Sequence, residues 1–380
     1  MKLGYSARLL SSLAGSAIVL LMLSACQIGG VTATQTQAEV ADLEPLETLT
    51  PVENPRELMG PQTVLVGEPT LAPVADHPPY NLPTTVVSKD LDGTRPEITI
   101  DDNSRIIALS VTGSLADLVV ALGFGDNLVG KDIATSATGT EDLPLVTTVS
   151  HTINQEGVIA LEPTVVLTDG SIGPDDVVRL QLRDAGIPVV AIERIVSFES
   201  TYQAAKDVAA ALGVPKLGEE LANEMEEAIE AKIDAIDRFV PTDEDKIPSV
   251  VFLYIRGTAG VFFMFGEGSG VDSIIQAVGA RDIATEIGWK GERPLTPEAL
   301  PALDPDVILV MTKGQDSVGG VDALIADIPG VAQTTAGQNR RIINIDDTLL
   351  FAGGTRTPDV LDGLARVLYT DAAEPDESKS

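Results

Sequence analysis

Residues 149–174, VSHTINQEGVIALEPTVVLTDGSIGP, contain the pattern that decides how this chain folds. Their central part, EGVIALEPTVVL at residues 156–167, has a counterpart in EALPALDPDVIL at residues 298–309. Each copy has a glutamate, an apolar turn, an acid followed by proline, and an apolar run. Proline directs the residue before it into an extended conformation, and a continuous apolar run is typical of a strand buried on both faces. The duplication predicts two α/β lobes with one copy in each.

The rest of the chain after residue 104 follows the same α/β pattern, in which short apolar runs alternate with helical stretches. A long amphipathic segment without proline at residues 216–239 predicts a helix between the two lobes. We therefore expect a ligand cleft between two α/β lobes joined by one long helix. The predicted strands of the first lobe are residues 105–110, 127–131, 164–168 and 187–192, and its helices are residues 114–122 and 174–185. The predicted divisions are an N-terminal lobe at 105–195, helices at 196–247, a C-terminal lobe at 248–370 and a disordered tail at 371–380.

The N-terminus has the pattern of an export signal. Lys2 and Arg8 precede an apolar run at residues 9–23 that is short for a membrane span. The run ends in Leu-Ser-Ala-Cys, which resembles the lipobox of bacterial lipoproteins, and Cys26 is the single cysteine of the chain. The resemblance implies removal of residues 1–25 and acylation of Cys26, which would anchor an extracytoplasmic protein to the cell membrane.

Residues 26–104 are rich in proline, threonine and glutamate and have little helical periodicity. This composition predicts a mostly disordered tether between the lipid anchor and the lobes. His77, one of two histidines in the chain, falls in this segment and is predicted to be a solvated residue without a role.

Charge and motif content exclude several classes of function. The chain has 57 acidic and 25 basic residues, for a formal net charge of −32, whereas nucleic-acid binding needs a basic face. Such acidity favours solubility in a saline or alkaline medium and identifies no ligand. The sequence has no phosphate-binding loop of the GxxxxGK type, no HExxH and no pair of cysteines. We therefore predict that the protein is not an enzyme.

Three residues in two segments form a candidate ligand site. His151 is the other histidine, and Tyr254 and Arg256 lie two apart in the predicted strand VVFLYIR. Side chains at i and i+2 of a strand leave the same face. A guanidinium in that position can hydrogen-bond or neutralise the phenolate, because a nearby positive charge favours the ionised form. By themselves, a lone loop histidine and a Tyr-x-Arg pair are more often ordinary surface residues.

The order of motifs over residues 105–370 resembles the helical-backbone class of ABC-transporter substrate-binding proteins, which carry iron-siderophores, cobalamin and heme. In that class, one glutamate on each lobe docks into arginine pockets of the permease. The resemblance implies that Glu156 and Glu298 are these residues, and that the partners are a permease and its ATPase. From the sequence alone, both are simply acids near the start of a helix, where the helix dipole favours them. We expect a monomer.

Within this class, SHTINQEGVIALEPTVVLTDGSIGP and YIRGTAGVFFMFG resemble the heme-binding lipoproteins of actinobacterial heme-uptake systems. The resemblance implies ferric heme between the lobes, with His151 and Tyr254 as axial ligands and Arg256 beside the tyrosine. A phenolate suits the hard ferric ion, and imidazole is an adaptable partner. Met311 is expected to border the pocket or else to pack in the core, and Arg356 is expected to contact the heme propionates.

Other ligands and roles remain open. The same fold can bind a ferric siderophore or cobalamin through Arg256 and aromatic residues, in which case His151 is incidental. A surface heme relay or scavenger would not need Glu156 and Glu298. A zinc or manganese carrier is disfavoured because such sites usually use several histidines. A heme peroxidase is disfavoured because two filled axial positions leave no open site for peroxide.

Overall fold

The computed structural model describes residues 41–148, 151–173, 175–296, 298–350 and 354–371. These described residues belong to one compact unit. The predictions for the export signal, for Cys26, for the first part of the tether and for the tail after residue 371 lie outside the described residues. Across the described ranges, no helix is long and apolar enough to cross a membrane.

Thirteen strands and twelve α-helices are present in the described part of the chain. The strands are β1 (Gln62–Thr63), β2 (Thr84–Val87), β3 (Glu97–Ile100), β4 (Ile106–Leu109), β5 (Leu128–Lys131), β6 (Val165–Thr168), β7 (Val189–Ala191), β8 (Ser249–Arg256), β9 (Val261–Phe265), β10 (Arg281–Asp282), β11 (Glu292–Pro294), β12 (Val307–Met311) and β13 (Ile342–Ile345). The helices are α1 (Ser114–Ala121), α2 (Gln155–Ala160), α3 (Asp175–Asp184), α4 (Phe198–Ala211), α5 (Pro215–Asp237), α6 (Val271–Ala277), α7 (Ile283–Glu286), α8 (Ala299–Leu303), α9 (Thr312–Ser317), α10 (Val321–Asp327), α11 (Thr335–Gln338) and α12 (Thr357–Tyr369).

The N-terminal lobe has a four-stranded parallel sheet in the order β5-β4-β6-β7. Every residue of β4, β6 and β7 is buried, as expected for a parallel sheet covered on both faces. The four predicted strands are all present and are shorter than predicted by one or two residues at an end. Since the carboxyl ends of parallel strands meet at one edge, the loops that follow β4 and β6 lie side by side there.

The C-terminal lobe has a mixed sheet in the order β1-β13-β12-β8-β9-β11, and β10 also pairs with the start of β8. β8 is parallel to β12 and antiparallel to β9. The first five residues of β8 are buried, and then Tyr254 and Arg256 are half-buried whereas Ile255 is buried. This alternation places Tyr254 and Arg256 on one face of the strand, as predicted from their spacing.

The long helix α5 connects the two lobes. Its apolar residues Leu221 and Met225 are buried in the core of the N-terminal lobe, and Ile229 and Ile236 are buried in a core of the C-terminal lobe. One stripe of the helix therefore serves two cores in succession. The predicted fold class, two α/β lobes joined by one long helix, is confirmed.

The predicted disordered tether is wrong for residues 41–104, which the structure describes as a folded segment, here called the strap. Its strand β1 extends the sheet of the C-terminal lobe by pairing with β13. Leu46 and Val64 are buried in the core of that lobe, and Ile100 is buried in the core of the other. The sequence of the strap shows no clear period because its strands have only two to four residues. Its stability comes from long-range contacts with both lobes.

A buried ion-pair cluster fastens the strap to the N-terminal lobe. The carboxylate of Asp90 lies 2.5 Å from Arg179 Nη1 and 2.6 Å from Arg183 Nη1, and it accepts a hydrogen bond from Ser88 Oγ at 2.6 Å. Burial raises the pKa of Asp90, but the hydrogen bonds from Arg183 and Ser88 and the two positive charges outweigh it, so the pKa lies below its ordinary value.

Replacing Asp90 by alanine is expected to destabilise the fold strongly, because two guanidinium groups lose the carboxylate that compensates their burial. The expected loss in the free energy of unfolding is about 3–5 kcal/mol, the usual result of breaking a buried pair. Urea unfolding followed by circular dichroism measures it. Asp101→Ala, at an exposed position of the strap, is the control and should change the value by less than about 0.5 kcal/mol. Equal effects of the two substitutions would show that the strap is not held by Asp90.

Candidate functional site

A cavity of about 930 Å³ is lined by residues of both lobes, which is a size typical of pockets for small molecules and cofactors. His151 and Asp169 reach it from the N-terminal lobe, and Tyr254, Arg256 and Met311 reach it from the C-terminal lobe. Most of the remaining wall is apolar and includes Val111, Ile133, Ile195, Val196, Phe198, Phe263, Phe265, Ile274 and Leu350. The structure therefore brings His151, Tyr254, Arg256 and Met311 to one cavity.

His151 lies in a tight turn before α2. Its φ of 53° is in the left-handed region, which is uncommon for a residue with a side chain and is often found at functional sites. Its backbone N–H donates to the carbonyl of Thr148 at 3.0 Å, and Thr148 N–H donates to the carbonyl of Thr152 at 2.9 Å. These hydrogen bonds fix the backbone of His151, whose side chain lines the cavity.

The surroundings of His151 favour a neutral imidazole. Burial lowers its pKa, and the charge of Arg256 lowers it further. Its Nδ1 is buried, and no described residue forms a hydrogen bond with it. An unsatisfied buried polar atom costs about 1–3 kcal/mol, so a ligand or a water at this nitrogen would be stabilising. The neutral ring is also the form that donates an electron pair to a metal.

Tyr254 is held between two neighbours. Its ring stacks on Phe265 with 6.1 Å between centroids and 19° between planes. On β8 the guanidinium carbon of Arg256 lies 4.5 Å from the centroid of the Tyr254 ring, which is a cation–π contact. The guanidinium thus sits over the ring face, whereas the sequence left open either a hydrogen bond to the phenolate or neutralisation of its charge. Its positive charge is beside the phenol in either arrangement.

Asp347, which the sequence analysis did not single out, holds Arg256 in place. Its Oδ1 lies 3.2 Å from Arg256 Nη2, and its Oδ2 accepts a hydrogen bond from Lys313 N–H at 2.9 Å. Arg256 Nη1 also donates to the carbonyl of Ile255 at 2.9 Å. Burial raises the pKa of Asp347 above its ordinary value, although the hydrogen bond from Lys313 N–H and the charge of Arg256 each act to lower it. No sequence signal marks this residue, because it meets Arg256 only through the fold.

The sequence also gave no sign of an ion pair between the two lobes. Arg194, which follows β7, and Glu292 of β11 both line the cavity, and 3.1 Å separates Arg194 Nη2 from Glu292 Oε1. The pair is about half exposed. Exposed ion pairs contribute about 0–1 kcal/mol, so this contact contributes little to holding the lobes together.

Arg356 is not among the residues that line the cavity in the described part of the chain. Its Nε donates to Asp359 Oδ2 at 2.7 Å, and its Nη2 donates to the carbonyl of Gly67 at 3.0 Å. Asp359 in turn accepts a hydrogen bond from Thr70 N–H at 3.0 Å. These bonds fasten the strap to the start of α12, and the predicted contact of Arg356 with the ligand stays a prediction.

The two glutamates of the duplicated motif occupy equivalent places. Glu156 lies in the first turn of α2, and Glu298 is the residue before α8. Both side chains are exposed, and neither lines the cavity. In each lobe, the glutamate of the duplicated motif is therefore exposed to solvent outside the cavity wall.

The described ranges offer few groups that could bind a metal ion. There, no group of three or more His, Cys, Asp or Glu side chains is placed to hold a metal ion. The described cavity wall does contain side chains that can coordinate a metal already held by another ligand, among them the imidazole of His151, the phenol of Tyr254 and the thioether of Met311.

A family model and a curated relative match this chain. A family model described as "Periplasmic binding protein" matches residues 109–349. The chain is 26% identical over 284 residues to an uncharacterized ABC transporter substrate-binding lipoprotein, YvrC, of Bacillus subtilis, and the match covers 74% of this chain and 85% of YvrC. These descriptions are of binding proteins.

Solved structures give closer similarity. The heme binding protein HmuT is 36% identical with a TM-score of 0.76, over 83% of this chain and 99% of HmuT. Further HmuT crystal structures have alanine in place of an arginine, a tyrosine or a histidine. The periplasmic heme-binding protein RhuT of Roseiflexus sp. RS-1, in its apo form, is 37% identical with a TM-score of 0.63, over 70% of this chain and 98% of RhuT.

The free energy of unfolding is expected to depend on pH through Asp117, a residue of α1. Burial raises its pKa to about 7. The charge of Arg356 acts to lower this pKa, and the charge of Asp132 acts to raise it. An unfolded aspartate has a pKa of about 4, so between about pH 4 and pH 7 the native state binds more protons. The free energy of unfolding should therefore fall as the pH rises through this window.

The substitution Asp117→Asn removes this titration and should make the slope of stability against pH shallower between pH 5 and pH 8. Part of the slope should remain, because burial also raises the pKa of Asp132 to about 7. Urea unfolding at a series of pH values measures the slope, with the exposed Asp142→Asn as the control. A slope as steep as that of the unmodified protein would contradict the assignment.

Proposed function

This chain belongs to the periplasmic binding protein family, and we propose that it binds ferric heme between its two lobes and delivers it to an ABC-transporter permease. The observation that carries the proposal is the shared cavity, in which one lobe supplies His151 and the other supplies Tyr254 with Arg256. The similarity to HmuT and RhuT supports heme as the ligand.

The residues of the cavity suit a ferric porphyrin. Its apolar wall matches the faces of a flat macrocycle. Ferric iron in a porphyrin has two axial positions, which an imidazole and a phenolate can fill. Burial and the charge of Arg256 lower the pKa of His151 and so favour the neutral form that this requires, and the guanidinium of Arg256 lies over the Tyr254 ring. Met311 borders the macrocycle from the end of β12.

We also propose that the protein works outside the cytoplasm and is anchored through an acylated Cys26. The support is the export pattern of residues 1–25 and the similarity to a substrate-binding lipoprotein. The lobes would then meet the permease at the membrane surface. The exposure of Glu156 on one lobe and of Glu298 on the other supports a docking role for both.

Loss of either axial ligand is expected to change the heme spectrum. His151→Ala and Tyr254→Phe should each shift the Soret band of the hemin complex. Each should weaken binding by about tenfold or more, since losing even an outer-shell partner of a metal ligand costs 10–100-fold. Absorption titration with hemin measures both effects.

Matched controls exist for both ligands. His77→Ala changes the only other histidine, which is 64% exposed, and Tyr80→Phe changes an exposed tyrosine. Both should leave the spectrum unaltered. Unchanged spectra in His151→Ala and Tyr254→Phe would sink the ligand assignment. Binding of a hydroxamate siderophore without binding of hemin would select the siderophore alternative.

The permease contact is tested by reversing the two exposed charges. Glu156→Lys with Glu298→Lys should abolish heme uptake by cells and leave hemin binding intact, because neither residue lines the cavity. The control is Glu219→Lys with Glu227→Lys, two exposed positions of α5, which should retain uptake. Normal uptake by the Glu156/Glu298 variant would favour a heme relay that is not coupled to a permease.

A further inference from the structure

The strap passes from one lobe to the other between two consecutive residues. Thr70 is bound to the C-terminal lobe, because its N–H and its hydroxyl both donate to Asp359 Oδ1, at 3.0 and 2.5 Å. The next residue, Leu71, packs against the core of the N-terminal lobe. The peptide link between Thr70 and Leu71 is here called the crossing.

Hydrogen bonds hold the strap on both sides of the crossing. Before it, the carbonyl of Gly67 accepts a hydrogen bond from Arg356 Nη2 at 3.0 Å. After it, the N–H of Val74 donates to the carbonyl of Ala121, the last residue of α1, at 2.9 Å. Only three residues separate Thr70 from Val74, so the chain has little slack between its attachments to the two lobes.

The two elements that the crossing joins both begin at the cavity. Asp359, which binds Thr70, lies two residues after Thr357, the first residue of α12 and part of the cavity wall. The helix α1, whose last residue binds the strap, starts two residues after Thr112, which also lines the cavity. The crossing therefore ties one wall of the cavity to the other.

This tie opposes a motion that α5 by itself allows. A single helix packed into two cores keeps the lobes together, but it leaves rotation about the helix axis as the easiest relative motion. A second connection, made through α1 and α12, restrains that rotation. Lobes held at a fixed spacing need less ordering when a ligand that bridges them binds, and this preorganisation increases affinity.

We propose that the crossing is a positioning element for ligand binding, which sets the spacing between His151 and Tyr254 before the ligand arrives. This inference rests on the proposed function, in which these two side chains coordinate one metal. It adds a role for the strap, which precedes the residues matched by the family model.

The test lengthens the crossing and compares hemin affinity in two backgrounds. A flexible Gly-Ser segment inserted between Thr70 and Leu71 adds slack and keeps the attachments on either side. It should weaken hemin binding by about three- to tenfold in the otherwise unmodified protein, because binding must then order the lobes. In the His151→Ala background it should change the affinity by less than about twofold, because no second ligand depends on the spacing. Absorption titration measures each affinity.

The matched control places the same segment between Asp101 and Asp102, two exposed residues of the strap. The chain on both sides of that site belongs to the N-terminal lobe, since Ile100 and Ile106 are buried in its core. This insertion should leave hemin affinity unchanged.

A point substitution loosens the crossing without lengthening the chain. Thr70→Val removes the hydrogen bond from the Thr70 hydroxyl to Asp359. It should give a smaller loss of affinity with the same dependence on the His151 background, and it provides the test if circular dichroism shows that the insertion variant does not fold.

Equal losses of affinity in the two backgrounds, or no loss in either, would overturn the inference and leave heme binding in place. Failure of the unmodified protein to bind hemin would instead overturn the proposed function, and this inference with it.

Discussion

The packing of one helix into two hydrophobic cores is the constraint on which the rest of the structure depends. The first half of α5 is buried with the four-stranded sheet of one lobe, and its second half with the larger sheet of the other. Neither lobe can move far from the other without exposing part of that apolar stripe. The strap is a second connection between the lobes. It pairs with the C-terminal lobe through β1 and binds the N-terminal lobe through the ion pair of Asp90. The cavity is therefore a gap between two bodies that two separate segments hold together.

This arrangement explains why the cavity can offer such different groups. The N-terminal lobe contributes a neutral, half-buried imidazole from a tight turn, whereas the C-terminal lobe contributes a phenol on a strand with a guanidinium over its ring. Under the proposed function, these two groups coordinate a flat ligand whose metal binds on both faces. The hydrogen-bonded sequence from Lys313 through Asp347 to Arg256 fixes the tyrosine side of the site. The exposed glutamates lie elsewhere on the lobes, so ligand capture and partner contact use separate surfaces.

The sequence predicted those features that depend on local pattern. Apolar runs and the duplicated motif located the strands of the N-terminal lobe, and an uninterrupted amphipathic segment located α5 within two residues. The spacing of Tyr254 and Arg256 placed them correctly on one strand face. Features that depend on long-range contact were missed. The strap has strands too short to show a period, and Asp347 reaches Arg256 across 91 positions of sequence. The sequence also gave no sign that Arg356 binds Asp359 and the carbonyl of Gly67 in the strap.

The central claim, that the cavity binds ferric heme through one residue from each lobe, is tested most directly by adding hemin to the purified protein and recording its absorption spectrum. The account predicts a Soret band distinct from that of free hemin, which grows with added hemin until the protein is saturated. A spectrum equal to the sum of free hemin and protein at every ratio would contradict it.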